Sequence, residues 1–333
     1  MGYLTVDMDY LAVDSGTTHS RVWLVRDLKV LNKRQVAVGV RNTAIDGNTR
    51  ALTAGIHQAI SELRDSAGSR AAPQLVIAAG MITSNLGIHE VKHVEAPVGI
   101  DDLAAKIEER VFPEITDLPF YFVPGVRSGP VEATLNNLNS IDIVRGEETE
   151  VMGALLQLQM AGPLLYIHLG SHTKLIKVDG LNRIAGGRST LAGELLQTVR
   201  THTILKDSLP NYFADVPNME CLNQGWDHAK KYGFFRALYL VRVLQLNSRR
   251  SKGCILSFFL GAMLSEEFRC LDSLLKESTP AKFILSGLPY LQRAWKHFLA
   301  RQKRAVYALS ADQTEAFFLA GLYEILKRRG LLS

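Results

Sequence analysis

The chain has 333 residues, of which 47% are hydrophobic and 21% charged, with a formal net charge of +5. That balance describes a folded globular protein long enough for two ordinary domains, and it excludes a disordered or fibrous chain. The basic residues are scattered, and the densest groups, Arg249-Arg250-Ser251-Lys252 and Lys327-Arg328-Arg329, are short and lack interleaved aromatics, so a solvated basic surface with a modest field for anionic substrates is expected, not a nucleic-acid face.

Tyr10 to Arg26 reads as strand, tight polar turn, strand: Leu11 to Val13 leads into Asp14, the turn holds Gly16, Thr17 and Thr18, and Arg21 to Val25 is rich in β-branched and aromatic residues. A Walker-type loop runs from strand into helix and carries Gly-Lys-Ser/Thr, and neither condition is met. Gly16 lets backbone approach a ligand, while the turn's N–H groups and the hydroxyls of Thr17 and Thr18 offer donors to phosphate. A carboxylate beside polyphosphate needs a cation between them, so Asp14 implies Mg²⁺ if this is a nucleotide site; the competing reading is an ordinary hairpin. Leu28 to Val40 continues the alternation, which suggests a meander of three strands.

Asn48 to Arg64 has helical spacing at Leu52, Ile56 and Ile60, with a breaker cluster around Gly68. Leu75 to Ala79 is a short apolar run that reads as a buried strand, ending in the loop Gly80-Met81-Ile82-Thr83-Ser84-Asn85; loops leaving buried strands are where α/β proteins put ligands. Asp101 to Arg110 is expected to be a helix, Phe120 to Val123 a strand stopped by Pro124-Gly125, and Ser128 to Ile141 a loop. Ile143 to Glu150 then opens an apolar helix in which Glu147 and Glu148 stand in the first turn. The helix dipole alone explains acids there. The functional reading makes one of them, after Gly146, the carboxylate that accepts the proton of an attacking hydroxyl.

Leu164 to Leu169, the polar turn Gly170-Ser171-His172-Thr173-Lys174 and Leu175 to Val178 repeat strand, turn, strand, roughly 155 residues after the first, which suggests an internal duplication. Two such hairpins in two similar domains would clamp a nucleotide, with metal on the acidic arm and Lys174 supplying positive charge to the transferring phosphoryl group. Leu191 to His202 is a helix in which Gly193 marks either a close approach or tight helix packing. Cys221, Cys254 and Cys270 have no CxxC spacing and no nearby His pair, so reduced structural thiols and no zinc are expected. The region from Phe234 to Leu275 is largely helical, and its apolar run near Cys254 to Leu264 is too short to span a bilayer. With no basic region and apolar core at the start, a cytoplasmic location without membrane partners follows as an expectation. Lys282 to Leu285 is a last buried strand ending at Ser286-Gly287, a small-residue turn that can seat an adenosine or its phosphates, with Pro289 suited to the first turn of the next helix. Ala305 to Ala308 is expected to be a final strand and Asp312 to Arg329 an amphipathic helix.

The set DSGTTHSR, GMITSNLG, VPGV, IVRGEETEVMGAL, LGSHTKLIKV, LAGELL with a following THTIL, and ILSG, in that order from Asp14 to about Leu322, resembles the 2-dehydro-3-deoxygalactonokinases, sugar-acid kinases of the superfamily of actin, hexokinase and the heat-shock chaperone ATPases. The resemblance implies an α/β chain with two ribonuclease-H-like domains, residues 1–160 and 161–333 with the last helix free to cross back, and an interdomain nucleotide cleft. It implies transfer of phosphate from MgATP to the terminal hydroxyl of a 2-oxo-3-deoxy sugar acid, here 2-dehydro-3-deoxy-D-galactonate. Carried over, Asp14, Gly16, Thr17 and Thr18 form the first phosphate turn and metal site, Ser171, His172, Thr173 and Lys174 the second, and Gly287 lies near the adenosine. Gly80, Met81 and Ser84 fall in the sugar-acid loop, and Glu147 or Glu148 is the base, by likeness to the GEE segment of exopolyphosphatases. Departures are Ser15 for a usual Trp, His19 for Asn, and Asn85 and Ile88 for an Arg and a Trp, which leaves Lys92 or Arg127 to supply a cation for the substrate carboxylate. The implied partners are the sugar acid, ATP and, at most, a second copy in a homodimer. The competing functions are an exopolyphosphatase-like phosphohydrolase and a non-catalytic nucleotide or sugar-acid binding protein.

Overall fold

The computed structural model describes residues 8–68, 71–213, 216–277, 280 and 282–332. It divides into two compact units, one of Met1–Ala161 with Asn182–Gly186 and Glu315–Ser333, the other of Gly162–Leu181 with Gly187–Thr314.

The first unit runs β1 (Asp9–Ser15), β2 (Ser20–Arg26), β3 (Lys29–Val36), α1 (Val40–Asp46), α2 (Arg50–Ala67), β4 (Val76–Gly80), β5 (Val94–Glu95), α3 (Ile100–Ala105), β6 (Glu108–Phe112), β7 (Thr116–Phe122), β8 (Val126–Ser128), β9 (Asp142–Val144) and α4 (Glu147–Gln157). Its main sheet has the order β3-β2-β1-β4-β7-β6, and β5, β8 and β9 form a small separate sheet. The first three strands are an antiparallel meander, whereas β4 lies parallel to β1. Every second residue of a strand shares a face, so Leu11 and Val13 meet Leu52, Ile56 and Ile60 of the amphipathic α2 in one core.

The second unit contains β10 (Leu164–Leu169), β11 (Thr173–Val178), β12 (Ile184–Thr190, whose first residues belong to the other unit), α5 (Ala192–His202), α6 (Met219–Tyr232), α7 (Phe234–Asn247), α8 (Lys252–Glu277), β13 (Lys282–Gly287), α9 (Pro289–Arg301) and β14 (Val306–Ala308). Its sheet order, β12-β11-β10-β13-β14, repeats the hairpin-then-parallel pattern of the first. Leu165, Ile167 and Leu169 of β10 pack with Phe259, Phe268 and Trp295. Finally α10 (Ala311–Arg328) places its length from Glu315 onward in the first unit. There its backbone crosses that of α4: a Cβ on Gly153 would stand 1.7 Å from the Phe317 carbonyl oxygen, and one on Gly321 2.1 Å from that of Thr149. Only glycine permits such a crossing, and it fixes where α4 begins.

Three expectations need correction. The segment Asp101 to Arg110 is not one helix: α3 ends at Ala105, and Glu108–Phe112 is an edge strand paired with β7, whose neighbour outweighs weak local propensity. The alternation from Leu28 stops at Val36, and Val40 already belongs to α1. Cys221 and Cys254 are a disulfide and not thiols, with Cα atoms 5.6 Å apart, while Cys270 remains a thiol. The reason is tertiary: Gly225 and Gly261 let α6 and α8 touch backbone to backbone, which brings two cysteines 33 residues apart into bonding range. Among the described residues no helix is long and apolar enough to cross a membrane.

Candidate active site

In the first unit, three chain segments converge on Asp14. β1 delivers its carboxyl at the strand end, in register with Arg21 on β2, whose Nη2 donates to Asp14 Oδ2 at 2.5 Å. β4 ends alongside at Gly80, whose φ of +85° and position leave no room for a side chain, since a Cβ would lie 2.8 Å from Asp14 Oδ1. Gly146, the N-cap of α4 with φ 108°, packs on Gly80 in turn; a Cβ there would lie 3.0 Å from the Gly80 Cα. The helix dipole therefore starts beside Asp14 with Glu147, Glu148 and Glu150 in its first turn.

The electrostatics follow from that crowding. The Asp14 carboxyl is raised above the usual range by burial, against the pull of Arg21, with Glu147 and Glu150 adding to the rise. Its side chain keeps 17% of its surface accessible. Glu148 is 0% exposed and is pushed up to about 8, first by burial and then by the charge of Glu147. Its oxygens accept from the backbone N–H of Gly146, at 2.9 and 2.7 Å, and from that of Glu148 itself, with Thr149 Oγ1 at 3.4 Å. Such a carboxyl is short of donors for its lone pairs. Glu147 is less buried, and its Oε2 accepts from the Arg145 N–H at 3.1 Å. Among the described residues no three His, Cys, Asp or Glu side chains are grouped as a metal cage. Mg²⁺ is commonly held through one or two carboxylates, with phosphate oxygens and waters completing its shell, so an accessible Asp14 in an acidic surround fits that ion.

The turn after Asp14 is held from behind. The carbonyls of Gly16 and Thr17 accept from the Val40 and Arg41 N–H groups at the start of α1, at 3.1 and 2.9 Å. Gly39 is what allows the approach, since a Cβ there would meet the Gly16 and Thr17 backbone at 2.6 Å. Thr17 is half-buried and Thr18 exposed.

The second unit repeats this device with other side chains. In β10–β11 His168 stands opposite Lys174, as Asp14 stands opposite Arg21, and β13 ends at Gly287 (φ +96°) beside Leu169, as β4 ends at Gly80 beside Ser15. Behind the turn, the Glu194 N–H donates to the Ser171 carbonyl at 2.7 Å, and a Cβ on Gly193 would lie 2.0 Å from the Gly170 carbonyl oxygen. The close approach that Gly193 permits is thus to the turn itself. Ser171 is exposed, His172 lies 3.4 Å from Glu194 Oε2, and Lys174 is buried at the root of the turn. Thr173 is buried on the opposite face of its strand, where it bonds to Glu267. His168, whose Nδ1 lies 3.0 Å from Ser286 Oγ, was not singled out from sequence, nor were Arg21 and Arg145. The Asp14–Arg21 and His168–Lys174 pairings become visible only once strand register is known.

The proposed acceptor loop is compact. Gly80 abuts Asp14 and Met81 is half-buried, while the Ser84 hydroxyl folds back on the Met81 carbonyl at 2.7 Å. Asn85 and Lys92 are exposed. Arg127 is turned to backbone carbonyls, including Val131 at 2.8 Å and Gly129 at 3.4 Å, and so serves its own loop.

A family model described as 2-keto-3-deoxy-galactonokinase matches residues 14–325. A probable 2-dehydro-3-deoxygalactonokinase of Rhizobium meliloti is 29% identical over 208 residues, covering 60% of this chain and 59% of that protein. The 2-dehydro-3-deoxygalactonokinase of Escherichia coli is 25% identical over 201 residues, covering 60% of each. The alignments thus span about three-fifths of these relatives. A crystal structure of a Sinorhizobium meliloti protein, provisionally assigned as a 2-dehydro-3-deoxygalactonokinase, superposes with a TM-score of 0.76 at 23% identity, over 97% of this chain and 98% of that one, a likeness of fold.

Proposed function

The chain belongs to the 2-keto-3-deoxy-galactonokinase family, and from that premise we propose that it transfers the γ-phosphoryl group of ATP to the terminal, 6-hydroxyl of 2-dehydro-3-deoxy-D-galactonate. The acceptor oxygen forms a bond to the γ-phosphorus, the bond from that phosphorus to the β–γ bridging oxygen breaks, and ADP leaves. The acceptor's hydroxyl proton goes to a glutamate at the start of α4.

Glu148 is the better base of the two. A general base works best with a pKa near the working pH, and burial beside Glu147 brings Glu148 to about 8. Its oxygens accept from backbone N–H groups at the start of α4, which leaves lone pairs for an acceptor hydroxyl once the buried carboxyl is uncovered. Glu147 contributes the charge that tunes it. Asp14 is the residue that would hold Mg²⁺, and that ion would neutralise charge on the phosphates when bound. Gly16, Thr17 and Thr18 offer their N–H and hydroxyl groups to phosphate, because the turn's carbonyls are already engaged by α1. In the second unit Ser171, His172 and Lys174 are the nucleotide contacts, Thr173 and Gly287 shape their turn, and Gly287 borders the adenosine. Gly80, Met81, Ser84 and Asn85 belong to the acceptor loop, whereas the Arg127 guanidinium, expected to meet the substrate, is engaged by its own loop. Cytoplasmic placement fits an enzyme that uses ATP.

The observation that carries this reading is the convergence of Asp14, Gly80, Gly146 and the Glu147–Glu148 pair at one point of the first unit. The test is ADP release with MgATP across a panel of 2-oxo-3-deoxy sugar acids, with a no-acceptor control. Acceptor-dependent release ranked by sugar acid supports the kinase. Release that ignores the acceptor identifies a phosphohydrolase, and binding without release a non-catalytic protein.

A further inference from the structure

Arg145 sits between β9 and α4, one residue before the N-cap Gly146, and its guanidinium reaches into the loop that leaves β4. Nη1 donates to the carbonyl and to the hydroxyl of Thr83, both at 2.5 Å, and Nη2 donates to the Val91 carbonyl at 2.9 Å and to the His93 ring, 3.0 Å from Nε2. The Thr83 carbonyl also accepts from the Val91 N–H at 3.0 Å, and the Thr83 hydroxyl donates to the Gly80 carbonyl at 3.1 Å. One cation therefore ties residues 83, 91 and 93 to the residue that starts the Glu148 segment.

The geometry points to Arg145 as a positioning residue that fixes the 81–93 loop against Glu148, so that the acceptor is presented to its base in one orientation. This deepens the kinase reading above and rests on it. The guanidinium fork does not itself grip a substrate carboxylate, because all four Nη hydrogens already have protein acceptors. Lysine cannot replace it: an ammonium is a point donor on a flexible stem, whereas the planar fork reaches three chain segments at once. The loop's own hydrogen bonds close Met81 to Ser84 and Ile82 to Ile88, and Arg145 joins it to the start of α4.

The experiment compares the parent chain with Arg145→Lys and the milder Thr83→Val, measuring KM for acceptor and for ATP, and amide hydrogen exchange. In Arg145→Lys the acceptor KM rises, or kcat falls, by about tenfold or more, because a misplaced acceptor loses orientation, while the KM for ATP stays within about twofold. Exchange of the Ile88 and Val91 amides quickens by at least about tenfold, and β1 keeps its protection. Thr83→Val moves the same quantities in the same direction by roughly threefold, and it carries the test if the lysine variant does not fold. Acceptor constants unchanged, acceptor and ATP constants moved equally, or exchange in the loop unaltered overturns the inference. If the parent phosphorylates no sugar acid, the kinase reading fails by itself, and the exchange measurement still decides whether Arg145 holds the loop.

Discussion

As the proposed base, Glu148 links activity and stability with opposite signs, and Glu148→Gln separates them. Its carboxyl is pushed from an ordinary 4.5 to about 8 by burial and by Glu147. A base must be ionised to work, and with that value about one-tenth of the chains are ionised at pH 7 and about nine-tenths at pH 9. Turnover at saturating substrates therefore rises with pH over that interval, by up to about ninefold. A cation bound at Asp14 lowers the inflection, so the kinetic midpoint falls between the ordinary value and about 8. Stability runs the other way. Between 4.5 and about 8 the unfolded chain has lost this proton and the folded chain holds it, so stability is fully present below the first value and falls until the second. The whole interval is worth roughly 5 kcal/mol, at about 1.4 kcal/mol per pH unit. Glutamine carries no charge at any of these pH values. In the absence of nucleotide and Mg²⁺, Glu148→Gln should melt higher than the parent at pH 9, by on the order of 10 °C, and nearly with it at pH 4.5, while its turnover falls by about two to four orders of magnitude. Melting curves at the two pH values, with a kcat–pH profile of the parent, read both effects. A parent kcat with no rise anywhere between pH 4.5 and 9, a glutamine variant that keeps turnover, or a melting difference of the same size at both pH values refutes the reasoning.

Other perturbations probe the same construction. Asp14→Asn should leave the fold intact and lower kcat by about 10²–10³-fold, with the Mg²⁺ dependence of ADP release flattened; full activity in this variant removes Asp14 from the metal site. Gly80→Ala places a methyl 2.8 Å from Asp14 Oδ1 at a φ of +85°, so it should destabilise the chain by about 1–3 kcal/mol and depress turnover, as thermal melting and kcat will show. Cys254→Ser opens a link between residues 33 apart, which in the chain-entropy account costs about 4 kcal/mol. Denaturant titration should show this loss, reductant should produce the same loss in the parent, and a parent indifferent to reductant refutes the disulfide's contribution.

Much of the fold was legible because local signals agreed. The apolar β4 run, the period of α2 and Pro289 at the start of α9 each specify their element without help from distant residues. The edge strand Glu108–Phe112 was not legible, since only its pairing with β7 makes it a strand. Asp14, the paired glutamates and the turn of each unit were visible as residue types in the right local setting. Arg21, Arg145 and His168 were not, because what distinguishes each is a partner far away in sequence or across a strand pair.

By itself, then, the sequence determined the elements, the duplicated strand–turn–strand device and the chemical types at its tips, since each depends on neighbours within a few positions. Tertiary structure alone decided which glutamate is desolvated, why Gly80, Gly146 and Gly193 must be glycine, and that Cys221 meets Cys254. Those outcomes depend on dielectric surroundings and on backbone distances of a few ångströms between remote segments, quantities that a linear order of residues does not carry.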